Sequence, residues 1–456
     1  MPSPRFRRPR LKPAQLIILS FSGVILLGST LLSLPLATTG QPIPWIDALF
    51  TVTSATCVTG LTVVDTGAYF SGFGQVLILI FIQLGGLGIT TLSAMIFYLF
   101  TESLPLRDRE VVLRTLAGTR AVTPSLGQLL RAVLVLTLAI ESVGALLLTL
   151  RFAFDYPLPR AAYLGLFHAV SAFCNAGFGL FSDNLVGYQG DWAVNFTIMA
   201  LVVLGGLGFS VLLELLRIAQ GQQAWARLSL HSKVVLFTTA FLIPLGALVI
   251  YGMEHGNILR GMSASTQFLV SLFQSISLRT AGFNTVDIGH LTDPTLFFMI
   301  MLMFIGGASG SCAGGIKVNT FALLVALTWS RLHGRNDVEI FERRISPWAI
   351  PRVITLVILS VCFVTFMVLL LSLAEQGMLS HQQSRGAFME VVFEAFSAFG
   401  TVGYSTGLTP HLSTPGKALI ILLMFVGRVG PLTLGALFTE RKKRPLRYPE
   451  ENVLVG

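Results

Sequence analysis

Four short segments place a glycine among small or hydroxylated residues: Thr56-Cys57-Val58-Thr59-Gly60-Leu61, Cys174-Asn175-Ala176-Gly177-Phe178, Arg279-Thr280-Ala281-Gly282-Phe283-Asn284 and Gly400-Thr401-Val402-Gly403-Tyr404-Ser405. The chemistry open to them lies in the backbone. Glycine takes positive φ and has no Cβ to obstruct a neighbouring carbonyl, and rings of carbonyl oxygens can replace the hydration shell of a cation. Other chemistries find little support. Cys57, Cys174, Cys312 and Cys362 stand singly with no CxxC pair, so neither a zinc site nor a disulfide framework is indicated and they read as buried thiols.

The spacing of these segments shows what must position them. Gly60, Gly177, Gly282 and Gly403 follow one another at 117, 105 and 121 residues, and a second glycine trails each by 24 to 28 residues: Gly85, Gly205, Gly306 and Gly427. This is an internal fourfold repeat. Apolar runs near 16–36, 74–100, 127–150, 193–216, 234–252, 295–328, 349–373 and 417–438 give two membrane crossings per repeat. Between them lie segments too short to span, 45–67, 162–183, 265–287 and 386–407, which read as re-entrant half-helices ending in the glycine loops. Because each repeat crosses twice, all four share one orientation and can surround an axis. Non-helical backbone at membrane depth is tolerated where it lines a cavity or is buried in protein. A half-helix that descends from the outer face points its negative end at the axis and favours a cation there.

The expectation is therefore an all-α membrane protein: eight transmembrane helices plus four re-entrant half-helices, in four pseudo-symmetric helix/pore-loop/helix repeats around one central pore. Its parts are a basic cytoplasmic N-terminus 1–12, repeats over 13–100, 127–217, 233–330 and 348–440, cytoplasmic linkers 101–126, 218–232 and 331–347, and a cytoplasmic C-terminus 441–456. Composition agrees. Of 456 residues, 53% are hydrophobic and 12% charged, about half the usual charged share, and the mean hydropathy is +0.76, which excludes an ordinary soluble enzyme. The first apolar run follows a basic stretch like a secretory signal, but it is long enough to span and stay. Of the 31 Lys and Arg, 23 fall on the side shared by both termini, which makes that side cytoplasmic. The net charge of +9 is explained by this asymmetry and by contact with anionic lipid or an acidic partner, without nucleic acid.

Individual residues carry further expectations. Thr59, Gly60, Asn175, Ala176, Gly177, Thr280, Ala281, Gly282, Thr401, Val402 and Gly403 form a candidate cation filter, with the ion at the four glycines. Thr401-Val402-Gly403-Tyr404-Ser405 differs from the potassium-channel filter string TVGYG only at its last position. Gly306, Gly307, Ala308, Ser309, Gly310, Ser311, Cys312, Ala313, Gly314 and Gly315 hold five glycines in ten positions, so helix should break there into a mobile plug; the other repeats soon resume bulky residues at Ile89, Phe209 and Leu432. Lys317 either holds this segment through a carboxylate or carbonyl or reaches the cytoplasmic surface. Arg428, deep in an apolar run, should face the axis below the filter. Arg279 and Glu394 suggest a salt bridge between neighbouring half-helices. Asp65 and Asp287 either concentrate cations or pair with arginines. Gly85, Gly86, Gly88, Gly205, Gly206 and Gly208 read as packing residues. His168 reads as a hydrogen-bonded structural residue and Glu141 as an acid satisfied by a neighbouring helix, their roles otherwise open. Gly85-Gly86-Leu87-Gly88 lacks the strand and lysine of a phosphate loop.

The loops, together with Gln83-Leu84-Gly85-Gly86-Leu87-Gly88, Thr62-Val63-Val64-Asp65-Thr66-Gly67, Thr285-Val286-Asp287 and Val426-Gly427-Arg428-Val429-Gly430-Pro431, resemble the Trk/Ktr/HKT superfamily of potassium transporters over essentially the whole chain after residue 13. The KtrB-type subunit is the nearest branch, because the first repeat begins at once. The resemblance implies a non-enzymatic, channel-like potassium uptake subunit of a bacterial plasma membrane, with sodium as a possible activator, no cofactor of its own, a homodimeric state and a cytosolic KtrA/TrkA-type nucleotide-binding ring as partner. It also implies that the residue matching Arg428 lies below the filter and that the stretch matching Gly306 to Gly315 is an intramembrane gate. Cys174 departs from the Asn common in relatives. The competing class is a sodium-coupled secondary transporter of another solute, which is expected to have two related halves.

Overall fold

The computed structural model describes residues 13–87, 126–377 and 380–431, excepting 381 and 385. The expected cytoplasmic stretches 1–12 and 441–456, nearly all of 101–126, and Gly88, Ile89 and Leu432 lie outside the described residues.

Helices follow in the order α1 (Pro13–Leu32), α2 (Trp45–Cys57), α3 (Thr66–Tyr69), α4 (Gly72–Gly86), α5 (Leu126–Phe152), α6 (Leu158–Phe173), α7 (Trp192–Leu207), α8 (Phe209–Ala219), α9 (Leu230–Glu254), α10 (Ala264–Ser277), α11 (Asp293–Met303), α12 (Val318–Leu332), α13 (Ala349–Gln376), α14 (Ala387–Gly400) and α15 (Thr414–Val429). Leu130–Phe152 of α5, α9 and α13 are long and apolar enough to cross a membrane. They expose large apolar side chains, Leu138 at 58%, Leu248 at 69% and Ile358 at 58%, as a lipid-facing helix should. The short helices α2, α6, α10 and α14 are buried over their C-terminal halves.

Two expected continuous helices are interrupted, the first with a sharp bend. α7 and α8 meet at 108° across Gly208, at φ +88° and ψ +146°, and α15 stops at Gly430, at φ +88° and ψ +135°. Gly208 is thus a break as well as a packing residue, since a Cβ there would lie 3.0 Å from the Ser309 carbonyl oxygen, and the interruption expected only in the third repeat is found at Gly208 in the second and at Gly430 in the fourth also. The cause is local: one glycine in a conformation L side chains avoid ends a helix even when Phe209 follows. In the third repeat the interruption is longer, running from the end of α11 to the start of α12.

Helix termini are joined by polar caps. Glu254, at the end of α9, accepts hydrogen bonds from the Thr292 amide (3.0 Å) and the Thr295 hydroxyl (2.5 Å) at the start of α11. Glu375 accepts from the Ser413 amide (3.1 Å) and hydroxyl (2.6 Å) at the start of α15. Both pairs are 38 residues apart in sequence, and both satisfy donors that a helix start leaves free. At the corresponding place Arg151 Nε meets Asp191 at 2.5 Å.

The packing order runs in a cycle: α4 packs on α6, α7 on α10, α11 on α14, and α15 on α2. That last contact includes a mostly buried ion pair, Lys417 to Asp47 at 2.5 Å. The described residues contain one small sheet, a hairpin of β1 (Glu339–Ile340) and β2 (Arg343–Arg344) in the expected linker 331–347. Phe341 and Glu342 at positive φ form its turn. Cys57, Cys174 and Cys312 are buried as expected, whereas Cys362 is exposed.

Candidate functional site

Each half-helix ends by reversing the hand of its backbone. The residue two before each loop glycine has positive φ, at Val58 (57°), Asn175 (59°), Thr280 (73°) and Thr401 (52°), and so has the glycine itself, Gly60 (97°), Gly177 (70°), Gly282 (76°) and Gly403 (94°). Thr59, Ala176, Ala281 and Val402, between them, are not among the positive-φ residues. The structure brings the four loops together. A Cβ added to Gly60 would lie 2.6 Å from the carbonyl oxygen of Ala176, one on Gly177 2.7 Å from that of Ala281, and one on Gly282 2.5 Å from that of Val402. One on Gly403 would strike the carbonyl oxygen of Thr59, which closes the circle. Glycine is required at these four places on two counts, the sign of φ and the neighbour's oxygen. All four glycines line an open cavity of 460 Å³ that is also lined by Asp65, Asp183 and Asp287.

The second glycines serve close packing. Side chains at Gly85, Gly205 and Gly427 would collide with the carbonyls of Thr56, Phe173 and Phe399, each four residues before a loop glycine. The second helices therefore lie directly on the ends of the half-helices.

Residues 306 to 315 form a closed loop between α11 and α12. Its neck is joined by Gly306 N to Ile316 O (2.8 Å) and Val318 N to Gly307 O (3.0 Å). Its amides seek the carbonyls released where other helices stop: Ala308 N to Gly206 O (2.9 Å), Cys312 N to Gly205 O (3.3 Å) and Gly315 N to Gly427 O (3.3 Å). Gly314 N donates to the Thr401 hydroxyl of the fourth glycine loop at 3.0 Å. Gly310 O accepts from Phe209 N at 3.1 Å, at the bend between α7 and α8. Arg428 is buried and donates to the carbonyls of Cys312 and Gly85, so it joins this loop to α4. Lys317 donates to the carbonyls of Ala313 and Gly314 within the loop, which decides for the carbonyl alternative.

Other expected residues fall out differently. Arg279 and Glu394 form no ion pair among the described residues: Arg279 Nε lacks a partner, and Glu394 accepts from the Thr409 hydroxyl of its own repeat. Asp65 caps a turn by accepting from Gly67 N (2.8 Å) and Ala68 N (3.0 Å), and Asp287 accepts from Gly289 N (2.9 Å) and meets His290 at 3.0 Å; neither pairs with an arginine among the described residues. His168 is structural, with Nδ1 donating to Leu164 O (2.8 Å) and Nε2 accepting from Leu180 N (3.3 Å). Glu141 is buried against the Gln83 amide and the Cys174 thiol.

Four serines escaped the sequence reading. Ser54 and Ser397 accept from the amides of Gly60 (3.1 Å) and Gly403 (3.2 Å). Ser171 and Ser277 donate to the carbonyls of Phe178 (2.7 Å) and Phe283 (2.5 Å). The signal was present: a serine stands six residues before Gly60, Gly177 and Gly403 and five before Gly282.

The profile of the family described as TrkH, cation transport protein, matches residues 10–444. The chain is 38% identical to "Ktr system potassium uptake protein B" of Bacillus subtilis over 98% of this chain and 97% of that protein. It is also 38% identical to the protein of that name from Vibrio alginolyticus, over 97% and 94%, and 36% identical to "Potassium/sodium uptake protein NtpJ" of Enterococcus hirae, over 98% of each. In shape it is similar to the crystal structure of the potassium transporter TrkH from Vibrio parahaemolyticus, with a TM-score of 0.71, 19% identity, and coverage of 95% of this chain and 87% of that one. At that identity the likeness shows a shared fold.

Proposed function

We propose that this membrane protein, which belongs to the TrkH family of cation transport proteins, takes up potassium through a pore on the axis of its four glycine loops. The observation that carries this reading is the closed circle in which each loop glycine faces the carbonyl of the next loop. Such a circle supplies oxygen ligands from the backbone alone, at the inner ends of four half-helices. Thr59, Gly60, Asn175, Ala176, Gly177, Thr280, Ala281, Gly282, Thr401, Val402 and Gly403 are the filter. The described residues of the four repeats expected over 13–100, 127–217, 233–330 and 348–440 are its walls, and both termini are cytoplasmic in a bacterial plasma membrane.

Residues 306–315 are the gate. The loop crosses beneath the glycines on hydrogen bonds to the second and fourth repeats, and Arg428 and Lys317 hold its carbonyls. A guanidinium there also repels a permeating cation: at about 6 Å and an effective dielectric near 20 the cost is about 3 kcal/mol. The names of the relatives, a component of a Ktr system and a potassium/sodium uptake protein, support a cytosolic regulatory subunit that biases the loop and a part for sodium. The homodimeric state belongs to this reading only as the family resemblance implies it.

Purified protein in liposomes should take up rubidium in competition with potassium and leave labelled amino acids outside. Amino-acid uptake coupled to sodium would instead establish a secondary transporter and remove the filter reading. Arg428→Ala should raise rubidium flux by up to about a hundredfold if the barrier limits the rate. A fall in flux at an unchanged protein level would make Arg428 a structural tie only.

A further inference from the structure

The residue after each loop glycine is Leu61, Phe178, Phe283 or Tyr404, so the fourth loop alone carries a hydroxyl at this place. Tyr404 is 1% exposed, and its hydroxyl reaches across to the third repeat, donating to Gln274 Oε1 and lying 3.0 Å from the carbonyl oxygen of Phe283. A phenol has one proton, so the bond is shared between two acceptors. Gln274 is oriented by its own amide nitrogen, which donates to the Thr285 hydroxyl at 3.3 Å. Gln274 and Ser277 stand three residues apart on α10, one above the other on the same side, and Ser277 supplies the second hydroxyl on the Phe283 carbonyl, at 2.5 Å. Gln274, Ser277, Thr285 and Tyr404 are all at most 2% exposed.

Loops three and four therefore meet at two levels. At the glycine level the Val402 carbonyl fills the space beside Gly282. One residue further on, the rigid ring of Tyr404 fixes how far the Phe283 carbonyl stands from the fourth loop. A carbonyl held by one hydroxyl from its own half-helix and one from the fourth loop is not free to turn.

We infer that Tyr404 is a positioning residue for ion discrimination: through Gln274 and the Phe283 carbonyl it sets the distance between the third and fourth loops, and it does so without touching the ion. This rests on the filter reading above. Discrimination between cations that differ in radius requires the oxygen spacing to be held, and in a ring closed by neighbour contacts a slack junction widens the whole ring.

The test is rubidium uptake into liposomes with sodium as competitor. Tyr404→Phe keeps the ring and removes only the hydroxyl. It should raise the half-saturation constant for rubidium and strengthen sodium competition by roughly fivefold each, the worth of one buried hydrogen bond, with the maximal rate and the membrane protein level within about twofold of wild type. Gln274→Leu should shift the same two quantities in the same direction, and the double variant should show less than the product of the single effects, because the two groups act as one unit. Gly282→Ser serves as the control on the filter itself. If Gly282→Ser alters sodium competition and Tyr404→Phe does not, the positioning role is overturned and the filter stands. If neither alters it, the filter reading falls and this inference with it. A fall in maximal rate or protein level in both Tyr404→Phe and Gln274→Leu, with sodium competition unchanged, would make the hydroxyl a folding contact only and also overturn the inference.

Discussion

In the loops around Gly60 and Gly403 a serine hydroxyl accepts a hydrogen bond from the glycine amide, whereas in the loops around Gly177 and Gly282 the corresponding serine donates its proton to the carbonyl one residue past the glycine. The backbone divides in the same way, with glycine φ of 97° and 94° in the first pair and 70° and 76° in the second. Because the loops contact one another in chain order and close from fourth to first, each kind of loop neighbours its own kind. The ring is fourfold in sequence, but its hydrogen bonds divide it into two unlike halves of adjacent loops. One short side chain that can both give and take a proton lets the same motif settle in two ways.

Three substitutions separate what the loops share from what divides them. The largest effect is expected where they are alike. Gly403→Ala places a Cβ against the Thr59 carbonyl and forces an L residue to φ 94°, which together should cost roughly a hundredfold or more in rubidium uptake. Uptake close to wild type would show that the circle of contacts is not needed for transport. Next comes Ser54→Ala, which leaves the buried amide of Gly60 without an acceptor; an orphaned donor costs about 1–3 kcal/mol, so uptake at low rubidium should fall by roughly tenfold to a hundredfold. The smallest effect belongs to Ser171→Ala. It frees the Phe178 carbonyl, an acceptor that can turn toward water or the ion, and a change of roughly fivefold or less is expected. Equal losses for Ser54→Ala and Ser171→Ala in the same uptake assay would erase the distinction between the two kinds of loop.

How much of this could be read beforehand depended on whether a function needs a residue type or only a conformation. The loop glycines were legible because positive φ next to a neighbour's oxygen leaves no other choice. The left-handed residue two places earlier was not, since Val58, Asn175, Thr280 and Thr401 all fill it, and of these asparagine alone takes that conformation readily. The unusual character of residues 306–315 was visible from glycine content, but its hydrogen-bond partners on α7 and α15 required knowledge of where those helices stop. Those stops were missed at Gly208 and Gly430, although Pro431 directly after Gly430 was a usable warning. The Arg279 and Glu394 pairing failed for a different reason. Opposite charges near the ends of half-helices say nothing about which way each side chain turns, and Glu394 found a hydroxyl within its own repeat.

The contact of α15 with α2, pinned by Lys417 on Asp47, joins residues 370 positions apart. A chain made from its N-terminus at about 5–20 residues per second needs roughly 20–70 seconds between the two. Throughout that interval the first half-helix has its partners within the first repeat but no wall on its open side, and Asp47 has no ammonium to meet. Closure of the ring thus waits for the fourth repeat to be made, and until then the half-helices stand as an open arc with an exposed flank.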